Sequence, residues 1–93
     1  MSYELGFLDD ALAEWHKLDG SIREQFKKRL GERLDNPRMP SAKPGGHQDR
    51  YKIKLRSVGY RLVYEVRDKQ MVVVVVSVGK RERSAVYKAA ARR

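Results

Sequence analysis

The amino-acid sequence predicts a small α+β domain in which a helical hairpin and a C-terminal helix pack on an antiparallel sheet. The first half carries apolar residues at helical spacing, and the second half carries three segments of strand-like pattern. Helices followed by a run of strands are typical of α+β proteins. Because 93 residues suit one domain, we assign residues 1–93 to a single domain with the element order β-α-α-β-β-β-α.

The first half is predicted to form one strand and two helices. Residues 3–8 alternate apolar and polar side chains and indicate a short strand. Asp9 or Asp10 is a suitable cap for a helix that ends near residue 17. Ser21 and Glu24 match a capping box, and the apolar spacing after them predicts a second helix that ends at Asn36.

The second half is predicted to form three strands and a last helix. Residues 36–49 contain all three prolines and a Gly-Gly pair, which predicts a long loop. Strands are predicted over 50–56, 60–66 and 71–78, and a helix over 84–91. Five consecutive valines at 72–76 indicate a strand that is buried on both faces and is therefore central in the sheet.

The alternation also predicts the register of the hairpin formed by the first two of these strands. Their apolar residues share a face if the numbers of paired residues add to an odd sum, as for Leu55 opposite Tyr60. The same register places Lys54 opposite Arg61 on the face away from the apolar residues. Lys52 lies on that same face. Because like charges directly opposite one another destabilise a sheet, this arrangement indicates an anionic ligand.

The charge distribution supports a nucleic-acid partner rather than a merely basic surface. Residues 1–46 carry eight Lys and Arg and eight Asp and Glu, whereas residues 47–93 carry thirteen against four. The whole net charge of +9 therefore lies in the second half. A segregated basic surface of this kind favours a polyphosphate ligand.

The candidate catalytic residues form a cationic set. The sequence has no cysteine, no metal-ligand spacing and no phosphate-binding glycine loop, so we expect neither metal nor cofactor. Arginines stabilise charge on a transferring phosphoryl group, and a lysine crowded by other cations loses proton affinity, so that its pKa can approach the range of a general base. A tyrosine stacks on a nucleobase. The candidates are Lys52, Lys54, Arg61, Arg81 and Tyr87.

Six segments carry a resemblance to a known family. They are ALAEW at 11–15, REQ at 23–25, NPR at 36–38, YKIKLR at 51–56, GYRLVY at 59–64 and SVGKRERS at 77–84. These segments resemble the RelE toxins of bacterial and archaeal toxin–antitoxin modules, within the RelE/ParE superfamily. The resemblance covers nearly the whole chain.

The resemblance implies a ribosome-dependent endoribonuclease. Such toxins enter the vacant A site and cut the mRNA codon there, with the 2′-hydroxyl as nucleophile and a cyclic phosphate and a 5′-hydroxyl as products. The resemblance implies that Lys54 is the base and that Arg81 is the acid for the leaving group. Lys52 and Arg61 would hold the phosphate, and Tyr87 would orient the nucleotide.

The resemblance also implies macromolecular partners, namely the ribosome with its small-subunit rRNA, mRNA, and a RelB-like antitoxin that blocks the cationic site. Close relatives often carry a basic residue in the loop where this chain has Pro44-Gly45-Gly46, so one basic contact is missing here. The predicted RNA- and ribosome-binding residues are Arg23, Lys27, Lys28, Arg50, Arg56, Lys80 and Arg83. The alternative for the helix face of Arg23, Lys27 and Lys28, and for Arg83, is a solvated surface charge.

We expect a cytoplasmic protein that does not bind membranes. The N-terminus lacks a signal-peptide pattern, and the longest apolar run, at 71–76, is far shorter than a membrane span.

Two alternatives to the ribonuclease differ in function. A ParE-like toxin shares the fold but acts on DNA gyrase and cuts no RNA, and its relatives generally lack the cationic set. A non-catalytic RNA-binding module would lose affinity, rather than rate, when its phosphate contacts are removed.

Overall fold

The computed structural model describes residues 3–38, 49–80 and 85–93, and in this part of the chain the predicted element order is confirmed. A 3₁₀ turn at Asp68–Gln70 connects the last two strands. No helix in the described residues is long and apolar enough to cross a membrane. The elements are β1 (Glu4–Phe7), α1 (Asp9–His16), α2 (Gly20–Asp35), β2 (Arg50–Leu55), β3 (Tyr60–Arg67), β4 (Val72–Lys80) and α3 (Ala85–Ala91).

The sheet has the strand order β1-β4-β3-β2 and is mixed rather than wholly antiparallel. The pairs β2–β3 and β3–β4 are antiparallel, as predicted, but β1 runs parallel to β4. The sequence pattern did not reveal this because β1 pairs with the last strand of the chain, after two helices and two strands have intervened. A connection that long permits parallel pairing, whereas a tight hairpin does not.

The second helix begins two residues earlier than the capping-box pattern predicted, since that pattern made Ser21 the cap. Asp19 is its N-terminal cap and Gly20 its first residue, without a hydrogen bond from the capping side chain. Arg23 has a different role at this junction, because its guanidinium donates to the carbonyl oxygens of His16 and Leu18 at 3.2 and 2.8 Å. These bonds satisfy carbonyls at the end of α1 that have no partner within the helix.

The helices cover both faces of the sheet. The main core lies between α1, α2 and one face, where Trp15, Phe26 and Leu30 pack against Leu62 and Tyr64. A second, smaller cluster lies on the opposite face, beneath α3, and consists of Val63, Val76, Val86 and Ala90. The sheet is therefore covered by α3 on the face that also carries the basic residues of β2 and β3.

The strand β4 lies inside the sheet, as its valine run predicted. It lies between β1 and β3, and Val73, Val74, Val75 and Val76 are all buried. A β-bulge interrupts its pairing with β3, since Val63 pairs with Ser77 and the next residue pairs with Val75. Val76 is thus left without a partner in β3.

We predict that Val74→Ala destabilises the protein more than Val72→Ala does. Val74 is 6 % exposed, whereas Val72 at the start of the same strand is only half-buried. Loss of two buried methyl groups and the resulting cavity should lower the free energy of unfolding by about 2 kcal/mol, which lowers the melting temperature by about 10 °C. Thermal unfolding followed by circular dichroism measures both variants. A melting temperature of Val74→Ala within a degree of wild type would contradict the central position of β4.

Candidate active site

The hairpin of β2 and β3 has the predicted register. Leu55 pairs with Tyr60, and Lys54 lies directly opposite Arg61. The turn closes through Gly59, whose φ of 72° suits a residue without a Cβ and whose N–H donates to the Leu55 carbonyl at 2.9 Å. The turn therefore supports the register that brings the two cations face to face.

Lys52, Lys54 and Arg61 share the face of the sheet opposite the main core. In β2 every second residue is buried, and the lysines occupy the positions between, where they are half-buried. Directly opposite residues of an antiparallel pair have Cβ atoms about 4.5–5.5 Å apart, so Lys54 and Arg61 are near neighbours. The predicted juxtaposition of these three residues is confirmed.

A cleft of about 260 Å³ opens beside these cations at the hairpin end of the sheet. Arg56, one of the predicted RNA-binding residues, is also in its lining. Three cations thus surround one concave surface, which suits the phosphate of a nucleic acid. The lining residues are Lys54, Leu55, Arg56, Gly59, Tyr60 and Arg61.

The neighbouring cations lower the pKa of the Lys54 ammonium group below its ordinary value. The charge of Lys52 is the largest cause, followed by partial desolvation and by the charges of Arg61 and Arg56. A lowered pKa increases the fraction of neutral amine near neutral pH, and the neutral amine is the form that accepts a proton. The shift is in the direction that a general base requires.

At the other end of the same face the positive charge is compensated. Glu65 lies opposite Arg50 and accepts hydrogen bonds from Arg50 at 3.0 Å and from Arg67 at 2.8 Å. Burial alone would raise the pKa of Glu65, but these bonds outweigh it and hold the pKa below the usual range. The carboxylate therefore offsets part of the positive charge at this end of the face.

Arg50 occupies a structural position that the sequence pattern did not predict. Its side chain is 12 % exposed, and besides pairing with Glu65 it donates to the Ala90 carbonyl of α3 at 2.6 Å. A guanidinium committed in this way is poorly placed to bind RNA. We therefore do not retain Arg50 in the candidate RNA-binding set.

Two of the candidate catalytic side chains lie outside the described part of the structure. Arg81 follows β4 directly but is not among the described residues, and the same is true of Arg83 and of Pro44-Gly45-Gly46. The backbone of Tyr87 lies in α3, but its side chain is not described. Lys80, the last residue of β4, pairs with Tyr60 beside the cleft.

The start of α3 lies close to the cationic surface. The Ser77 hydroxyl donates to the Val86 carbonyl at 2.8 Å. A Cβ added at Gly79 would lie 3.4 Å from a Val86 methyl group, and Gly79 is the strand partner of Arg61. Ser77 was not among the predicted site residues, although one hydroxyl after a run of buried valines signals a buried polar contact.

The basic face of α2 is partly compensated. Lys27 forms an exposed ion pair with Glu24 at 3.3 Å, and Lys28 is exposed.

Within the residues that the structure describes, no group of three or more potential ligands could hold a metal ion.

Comparison with known proteins assigns the class of this chain. Residues 5–85 match the family described as the ParE toxin of type II toxin–antitoxin systems. The mRNA interferase toxin RelE of Escherichia coli K12 is 57% identical over 93 residues, which is 100% of this chain and 98% of that protein. The chain therefore belongs to the RelE/ParE family of type II toxin–antitoxin toxins.

Solved structures of E. coli RelE have the same fold. An R81A/R83A variant of RelE in the free state superposes with a TM-score of 0.92 at 55% identity, covering 100% of this chain and 98% of that one. The same variant in complex with a peptide of the antitoxin RelB superposes with a TM-score of 0.85 at 56% identity, covering 97% and 95%. The predicted family and fold class are thus confirmed.

We predict that Lys52→Gln raises the pKa of Lys54, because it removes the charge that contributes most to the lowering. NMR titration of the lysine side-chain resonances measures this pKa directly. Lys69→Gln, in the 3₁₀ turn at the far end of β3, removes a charge of the same sign and should leave the Lys54 titration unchanged. An unaltered Lys54 pKa in Lys52→Gln would show that the cationic surface does not tune this lysine.

Proposed function

We propose that this protein is the toxin of a toxin–antitoxin pair and that it acts as a ribosome-dependent endoribonuclease on mRNA. One observation carries the proposal: Lys54, whose pKa is lowered, lies opposite Arg61 at an open cationic cleft. The full-length identity of 57% to a protein named mRNA interferase RelE supports it.

In the proposed reaction, neutral Lys54 takes the proton of a ribose 2′-hydroxyl, and the 2′ oxygen attacks the adjacent phosphorus. The bond from phosphorus to the 5′ oxygen breaks, which leaves a cyclic phosphate and, after protonation, a 5′-hydroxyl. Lys52 and Arg61 stabilise the charge that develops on the phosphate oxygens. By resemblance to RelE toxins, Arg81 assists the leaving oxygen and Tyr87 orients the nucleotide.

The chemistry of the site favours the proposed dependence on the ribosome. An arginine keeps its proton far above neutral pH and is a weak proton donor, so Arg81 would be a weak acid for the leaving group. A catalyst of this kind gains most from a substrate that is already held in the reactive geometry. Ribosomal rRNA and the mRNA in the A site would supply that orientation, with Arg56, Lys80, Arg83 and the α2 lysines as additional phosphate contacts.

We further propose that a RelB-like antitoxin is the cognate inhibitor and that the pair acts in the cytoplasm, where ribosomes and mRNA meet. E. coli RelE has been solved in complex with a RelB peptide, at 56% identity to this chain. A segment with acidic residues would complement the basic second half and cover the cleft. The +9 net charge supports an electrostatic contribution to this association.

The two alternative functions are less well supported. The matching family carries the ParE name, but the relatives that match the whole chain at 56% and 57% identity are named RelE-like toxin and mRNA interferase RelE. A purely RNA-binding surface would carry the same crowded cations, so the lowered pKa of Lys54 does not distinguish it from the ribonuclease. The names of the full-length relatives favour the ribonuclease.

We predict that the purified protein cleaves a defined mRNA at the A-site codon only when the mRNA is threaded on ribosomes with a vacant A site. Primer extension on free and ribosome-bound mRNA measures this. Arg81→Ala should abolish cleavage while ribosome binding persists. Lys88→Ala removes a charge from the exposed side of α3 and should leave cleavage unchanged.

Cleavage of free and ribosome-bound mRNA alike would instead indicate an independent ribonuclease. Arrest of cell growth without cleavage of either sample would favour the gyrase-directed alternative. Full cleavage by Arg81→Ala would remove this residue from the site.

A further inference from the structure

Arg33, near the end of α2, is hydrogen-bonded to both strands of the β2–β3 hairpin. One terminal nitrogen of its guanidinium donates to the Tyr64 hydroxyl at 2.8 Å and to the Lys52 carbonyl oxygen at 3.4 Å. The guanidinium carbon also lies 5.7 Å from the centroid of the Tyr64 ring, which is a cation–π distance. The side chain is half-buried, so these contacts are partly protected from competing water. Arg33 therefore links α2 to the strand that carries Lys52 and Lys54.

The Lys52 carbonyl lies on the open edge of the sheet. The strand β2 stands at the end of the strand order, beside β3. The Val66 N–H donates to the Asp49 carbonyl at 2.8 Å, which fixes the alternation of hydrogen-bonded pairs along the hairpin. In this alternation Lys52 and Lys54 occupy positions whose backbone N–H and C=O groups point away from β3. Arg33 thus supplies a donor to a carbonyl that the β2–β3 ladder leaves unpaired.

The core fixes the acceptor that holds Arg33 in place. Tyr64 is fully buried, and its ring stacks on Tyr51, its partner in β2, with the ring centroids 5.7 Å apart. The Tyr64 hydroxyl donates in turn to the Pro37 carbonyl at 2.6 Å, just after the end of α2. A hydrogen bond from a charged donor is stronger than one between neutral groups. The guanidinium is therefore held against a rigid part of the main core.

The position of Lys52 matters to Lys54. The charge of Lys52 is the largest cause of the lowered pKa of Lys54, and a hydrogen bond between the two side chains adds to it. Both contributions depend on the separation of the two ammonium groups. An edge strand has ladder hydrogen bonds on one side only, so the bond from Arg33 restrains the backbone of β2 on its open side. Loss of that bond would loosen the strand at Lys52.

We propose that Arg33 is a positioning residue that holds the edge strand β2 from the face that α2 covers, so that Lys52 and Lys54 keep their spacing at the cationic cleft. The proposal rests on the proposed ribonuclease function and adds a residue that acts through the backbone of Lys52. Arg33 was not among the predicted site residues, because its contacts join residues far apart in sequence.

NMR titration of Lys54 tests the proposal without cleavage. Arg33→Met keeps an apolar side chain but removes every donor, and we expect it to raise the pKa of Lys54 because Lys52 is held less firmly. Arg29→Met is the matched control, since Arg29 is an exposed arginine one turn earlier in α2, and it should leave the titration unchanged. An unaltered Lys54 titration in Arg33→Met would overturn the proposal.

Tyr64→Phe separates positioning from a simple loss of charge. This variant removes the hydroxyl that holds the guanidinium but leaves the charge of Arg33 in place. The pKa of Lys54 should therefore shift in the same direction as in Arg33→Met, by a smaller amount. A shift in Arg33→Met with none in Tyr64→Phe would mean that only the charge of Arg33 matters, and it would overturn the proposal.

The pH dependence of single-turnover cleavage of ribosome-bound mRNA tests the functional consequence. A raised pKa of Lys54 lowers the fraction of neutral amine at neutral pH, and this fraction recovers as the pH rises. Arg33→Met should therefore lose rate several-fold at neutral pH, less than the about 100-fold or more that loss of a general base costs. The loss should shrink at higher pH, with ribosome affinity nearly unchanged. An equal loss at every pH would indicate general destabilisation and overturn the proposal.

Amide hydrogen exchange measures the hold on β2 directly. The N–H groups of Tyr51 and Ile53 face β3 in the observed register, so they report opening of the edge strand. Arg33→Met should speed their exchange while β4 remains protected. Unchanged exchange would overturn the proposal. Faster exchange and a shifted Lys54 titration in a protein whose wild type cleaves no ribosome-bound mRNA would instead uphold the hold of Arg33 on β2 and count against the ribonuclease function.

Discussion

The register of the β2–β3 hairpin is the constraint on which the site depends. It follows from the need to bury Tyr51, Ile53 and Leu55 with the apolar residues of β3, and a slip of one residue would expose that whole set. The same register leaves no choice about the other face, where Lys54 must lie opposite Arg61. The hydrophobic core thus enforces an electrostatic arrangement that the strands alone would disfavour.

Helix α3 and Glu65 determine how this unfavourable charge is distributed. Glu65 compensates Arg50 and Arg67 at one end of the face, where α3 ends. At the hairpin end the charges of the neighbouring cations lower the pKa of Lys54. A cluster of like charges that costs stability in the free protein is a common trade between stability and activity.

Much of this could be predicted from the sequence, because local pattern determines it. The alternation of apolar and polar residues in β2 and β3 predicted the register of the hairpin, and the run of five valines predicted the central position of β4. Other features could not be predicted, since they join residues far apart in sequence. They are the parallel pairing of β1, the bulge at Val76 and the hydrogen bonds between Arg93 and Glu14. Arg50 is a second example. It occupies the same alternating position in β2 as Lys52 and Lys54, but its guanidinium donates to the Glu65 carboxylate across the strand and to the distant Ala90 carbonyl. The roles of Arg81 and Tyr87 derive from family resemblance and remain predictions.

The central claim is that the fold holds Lys54 against like charges, and the thermal stability of Lys54→Gln tests it most directly. Measured at low ionic strength, this variant should melt above wild type, since it relieves a repulsion between like charges directly opposite one another. The difference should shrink at high salt, which screens the repulsion. Lys69→Gln, outside the cationic cleft, should show no such gain. A melting temperature of Lys54→Gln at or below that of wild type in low salt would contradict the account.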